Sequence, residues 1–149
     1  MLEKITGSCL CGAVQYIVNG AIKAVANCHC NICQKTTGGV FGTIAVIGEN
    51  DLEVIAGQDN LTTYQVSEKA IKYFCRTCGT PIFNLHKRYP GNYMTQVGSF
   101  DDPSLVTPAI NIFCENMMPW VKSIADLKCF DIRISEIFKV VFSSFDFNK

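Results

Sequence analysis

At 149 residues the chain has the length of one domain, spanning 1–149, and 48% hydrophobic against 17% charged residues excludes disorder over most of it. Thirteen basic residues balance thirteen acidic ones, so no net field draws the protein to nucleic acid or to an anionic membrane. There is no uninterrupted apolar run of the roughly 20 residues that a membrane span needs, and Met1 to Ile5 carries no signal-peptide pattern, which together predict a cytoplasmic protein.

Gly7 to Gly12 reads as a turn-rich segment, followed by a strand over Ala13 to Val18 and a turn at Asn19-Gly20. Asn27-Cys28-His29-Cys30-Asn31-Ile32-Cys33 reads as a loop, closing on Thr36-Thr37-Gly38-Gly39 before a second strand from Val40 to Ile47. Leu52 to Ala56, Leu61 to Val66 and Ile71 to Phe74 are short apolar runs with closely spaced turn signals, a pattern of antiparallel sheet. A cysteine-bearing turn from Phe74 to Pro81 leads to expected strands at Ile82 to Leu85, Tyr93 to Val97 and Ala109 to Phe113. From Ile124 onward neither the helical nor the strand period fits. The fold expected is mainly β, with the cysteines on its turns.

Nine cysteines are too many for packing alone, and a reducing compartment keeps thiols from pairing, so metal binding is the economical reading. In Cys75-Arg76-Thr77-Cys78-Gly79 two thiolates can converge on one ion from a tight turn that Gly79 permits. Cys9-Leu10-Cys11 supplies two more, because residues two apart in extended backbone project to one side. Together they can complete a closed, four-thiolate structural zinc site; the competing reading of Cys75 and Cys78, a redox dithiol, calls for a βαβ setting that the pattern lacks.

Cys28, Cys30 and Cys33 offer three sulfurs within six residues and no fourth cysteine. Three protein ligands leave a coordination position for water or substrate, the mark of a catalytic zinc. The alternatives are a second structural site closed by His29 and a labile disulfide. Alternation of the backbone turns the His29 ring away from the metal, towards a supporting or solvent-facing place. His86 reads as a surface residue, Cys114 and Cys129 as buried packing thiols, and Trp120 as either a pocket wall or a core or rim aromatic.

Gly7 to Val14, Cys28 to Lys35, Phe74 to Thr80, Gly98-Ser99-Phe100-Asp101-Asp102-Pro103 and the Pro119-Trp120 pair resemble the glutathione-dependent formaldehyde-activating enzyme family over nearly the whole chain. The resemblance implies an Mss4-like fold of twisted antiparallel sheets, a structural zinc on Cys9, Cys11, Cys75 and Cys78, and a catalytic zinc on Cys28, Cys30 and Cys33. It also implies a carbon–sulfur lyase that joins glutathione and formaldehyde, with a small thiol and a small aldehyde as partners. Asn111 stands where many relatives place histidine, and the chain is shorter than the founding enzyme, which separates membership from substrate. Thr36, Thr37, Gly38 and Gly39 are expected to offer backbone amides around the reacting group. A zinc-stabilised protein-interaction module on the same scaffold is the alternative function.

Overall fold

The computed structural model describes residues 4–129 and 131. The chain divides into two compact units, Met1–Met118 and Pro119–Lys149. In the second, the described residues hold a 3-10 stretch, Pro119–Asp126, on which Trp120 and Ile124 are exposed. The apolar residues Ile132, Ile134, Ile137, Val140 and Val141, whose period was ambiguous, lie outside the described residues. No helix among the described residues is long and apolar enough to cross a membrane.

Ten strands run through the described part of the first unit. They are β1 (Ile5–Ser8), β2 (Gln15–Val18), β3 (Ile22–Cys28), β4 (Gly42–Gly48), β5 (Leu52–Ala56), β6 (Leu61–Ser67), β7 (Ala70–Cys75), β8 (Pro81–His86), β9 (Asn92–Gln96) and β10 (Ile110–Ile112). A three-stranded sheet has the order β1-β2-β5, and a seven-stranded sheet the order β10-β3-β4-β9-β8-β7-β6. The mainly β expectation holds. All pairs are antiparallel except β10 with β3, which run parallel and make the larger sheet mixed. β4 lies inside the larger sheet, and its run Gly-Thr-Ile-Ala-Val-Ile-Gly is apolar on both faces, as a strand covered on both sides must be.

The two faces of that sheet carry different things. Val25, Ala45, Ile47 and Phe83 join Tyr16, Val18 and Leu52 of the smaller sheet in the main core. Ala26, Cys28 and Ile44, one residue out of phase, form a second cluster with Cys33 and Met94. Alternation along each strand is what separates these sets.

Three elements differ from the sequence expectation. β1 and β3 are strands where a turn-rich segment and an unassigned stretch stood, because their pairing partners, β2 and β4, are distant enough to be invisible locally. The expected loop after Cys28 contains a helix, α1 (Asn31–Thr37). Cys30 caps its N-terminus by accepting the Cys33 N–H, and Gly38 closes it in the left-handed region at φ 70. Two turns are too short for helical periodicity to register in sequence.

Candidate metal centres

The first cluster joins two distant turns. Cys9 and Cys11 follow β1, Cys75 ends β7, and Cys78 lies in the turn before β8. The four sulfurs lie within 4.8 Å of one another. The Cys9–Cys11 separation is 3.5 Å and the Cys11–Cys75 separation 3.7 Å. A zinc–sulfur bond of about 2.3 Å sets the edge of a ZnS4 tetrahedron at about 3.8 Å, so the four thiols fit a single zinc ion.

Donors converge on these sulfurs. The Val14 N–H reaches Cys9 Sγ at 3.2 Å and the Asn60 amide reaches Cys75 Sγ at 3.1 Å. Asn60 also accepts the Arg76 N–H on its backbone carbonyl and the Thr77 hydroxyl on its side chain, which holds the C-x-x-C turn to the start of β6. Thr80 Oγ1 accepts the Leu10 N–H at 3.1 Å and lies 3.2 Å from Cys78 Sγ, tying both halves of the cluster together. The Thr80 hydroxyl, with the Thr80 amide, brings the Cys78 thiol down to about 5. Gly79 has φ 75, and its N–H closes the turn on the Cys75 carbonyl at 2.9 Å.

The second cluster, Cys28, Cys30 and Cys33, sits where β3 passes into α1, with its three sulfurs within 4.8 Å of one another. Cys28 and Cys33 are buried and Cys30 is half-buried. Capping creates the constellation: a cap residue and the third helical residue meet at the same helix end, here with the Cys33 N–H on Cys30 Sγ at 3.3 Å. Contact with the Cys33 thiol lowers Cys28 to about 5 against the opposing effect of burial, while the same contact pushes Cys33 far above the ordinary thiol range. One thiol ionises readily and its neighbour resists. A divalent cation resolves that conflict by stabilising all three as thiolates, so this donor set also fits zinc.

His29 is fully buried and joins neither cluster. Its Nε2–H donates to Asn111 Oδ1 at 3.1 Å, its ring packs on Phe41, and Nδ1 has no partner. Neither ring nitrogen joins the three-thiol cluster, and the ring supports β10 rather than facing solvent. Asn111 also accepts from the Asn27 side chain, so it links β10 to β3 beside the cluster.

Other expectations are corrected. Cys114 and Cys129 are exposed rather than buried, for neither lies on an element whose face is covered. The amides of Gly38 and Gly39 are spent on Gln34 O and Thr37 Oγ1, and the Thr36 and Thr37 hydroxyls on carbonyls within α1, so this segment builds a helix end and offers those amides to no ligand. His86 is partly exposed, and its Nδ1 accepts the Arg88 N–H. Sequence reasoning missed Asn60, Thr80 and Lys72. A polar residue inside the run Ile71 to Phe74 was the available signal for Lys72, since alternation sets it on the face opposite Tyr73.

The pattern of a family described as "Glutathione-dependent formaldehyde-activating enzyme" matches residues 4–116. A Halomonas elongata protein provisionally named glutathione-dependent formaldehyde-activating enzyme is 29% identical over 126 residues, which cover 79% of this chain and 80% of that protein. An Aspergillus flavus protein of the same provisional name is 30% identical over 77 residues, covering 50% of this chain and 40% of the fungal one. The crystal structure of a Rhodobacter sphaeroides protein superposes with a TM-score of 0.59 at 28% identity, covering 71% of this chain and 98% of that one.

Proposed function

Because the chain belongs to the glutathione-dependent formaldehyde-activating enzyme family, we propose that it is a zinc-dependent carbon–sulfur lyase acting on a small thiol, glutathione among them, and a small aldehyde. The observation that carries this reading is the three-thiol cluster of Cys28, Cys30 and Cys33, which has no fourth Cys, His, Asp or Glu donor among the described residues. Cys9, Cys11, Cys75 and Cys78 serve as the closed structural set.

Cys28, Cys30 and Cys33 would hold the zinc, which when bound would lower the pKa of a substrate thiol and keep it nucleophilic at neutral pH. The chain's own residues do the rest. Cys28 from the sheet and Cys33 from α1 are buried and fixed by packing, which leaves half-buried Cys30 on the accessible side. Addition forms a sulfur–carbon bond as the aldehyde π pair moves to oxygen, which takes up the proton that the thiol released. The reverse breaks the same bond and releases thiol and aldehyde. A cytoplasmic location, where cysteines stay reduced, suits this chemistry.

Cobalt substitution tests the proposal. With both sites loaded, glutathione, cysteine or another small thiol should change the thiolate-to-metal absorption, since it adds a sulfur to an open set. No response to any thiol would remove the lyase reading in favour of a protein-interaction module.

A further inference from the structure

Lys72 is buried, only 8% exposed, and its ammonium has neither a hydrogen bond nor an ion pair among the described residues. The stem accounts for this burial, and the ammonium keeps contact with solvent, so an anion can reach it. Register places it. Val46 pairs with Met94, Met94 with Asn84, Asn84 with Lys72 and Lys72 with Tyr64, a row across five strands on one face of the larger sheet. Ile44, two residues from Val46, pairs with Ala26 one step from the Cys28–Gly42 pair. Directly paired residues share a face, so Lys72 and Cys28 lie on the same side, the side that α1 covers.

Lys72 opens into a cavity of about 320 Å³ lined also by Tyr64, Phe74, Gly79, Pro81 and Thr36. That volume is at the small end of ligand sites. Thr36 follows Cys33 by three residues on α1 and so stands on the helix face that carries that thiol. The cavity thus touches both Lys72 and, through Thr36, the α1 face that carries Cys33.

We propose that Lys72 binds the carboxylate of the thiol substrate, so that the site selects thiols carrying an acid group a few bonds from sulfur. The inference rests on the open three-cysteine site proposed above and names the feature its substrate must carry. An ammonium–carboxylate contact is charge-assisted and stronger than a neutral hydrogen bond.

The test uses full-length protein loaded with cobalt and titrated with 3-mercaptopropionate and with its methyl ester, two thiols that differ in one charge. The acid should bind about tenfold more tightly than the ester. In Lys72→Met, which keeps the apolar stem, that preference should fall to near one while ester affinity stays within about twofold. Equal affinity of acid and ester for the native chain overturns the proposal and leaves the lyase reading standing, and this comparison needs no variant. Equal loss of both thiols in Lys72→Met also overturns it, since Lys72 would then be a counter-charge to the metal centre. A spectrum that responds to neither thiol overturns the open site itself and the carboxylate contact with it.

Discussion

Cys30 is at once a helix cap and one of three thiols. Its Sγ accepts the Cys33 N–H, and serine makes the same capping bond. Cys30→Ser should therefore keep α1 and remove one thiolate of three. The expected result is an unchanged circular dichroism spectrum, a Tm within about 5 °C of the parent, since a cap exchange of up to about 1 kcal/mol moves Tm by only a few degrees, and about one fewer metal ion per chain by atomic emission. A collapse of Tm would show that the second cluster holds the fold together. At this scale the sequence was readable in what repeats locally: C-x-x-C and C-x-C. It was silent on which polar residues would be buried. Lys72 looks like an ordinary strand residue until β7 is placed in a sheet.

The elements divide in the same way. Runs such as Leu52 to Ala56 contain their own strand signal, and β5 has those limits. β3 offers no such signal, because its two burial classes reflect a core on one face and α1 on the other. The connection after β5 supports a test. Gly57 has φ 78, and a Cβ there would strike the Ala13 carbonyl and the Val14 backbone, which cannot rotate away. Gly57→Ala should cost about 2–5 kcal/mol, from roughly 1–2 for left-handed backbone and typically 1–3 for the clash. Gly38→Ala, at φ 70 with open space around it, carries only the backbone cost, about 1–2 kcal/mol. Urea unfolding of both variants checks the ordering, and equal losses would refute the clash at Gly57.

For the first unit as a whole, a zinc held by the four-cysteine cluster would be a long-range tie. It would fasten the loop after β1 to the turn after β7, with Cys11 and Cys75 64 positions apart. Apparent zinc binding energies of roughly 10–16 kcal/mol in small zinc peptides make such a tie comparable with the whole stability of a domain. Cys78→Ser should lower Tm by well over 10 °C or prevent soluble expression, and excess chelator should do the same to the parent chain. Thermal melts and metal analysis beside Cys30→Ser decide it: a normal Tm with full metal content in Cys78→Ser would contradict the structural assignment.

What the sequence determined by itself was the partition of seven cysteines into sets of four and three. Ligand spacing is a local property of the chain, and a thiol pair two or three residues apart meets at one point in nearly any turn. It determined the mainly β class for the same reason, since strand and turn signals span only a few residues. The tertiary structure alone decided which face of the larger sheet receives α1 and that Lys72 shares it with Cys28. It also decided that the two turns of the first cluster come within bonding distance of one ion. Those facts depend on strand order and register, which join residues tens of positions apart, and burial on a face exists only once another element covers it.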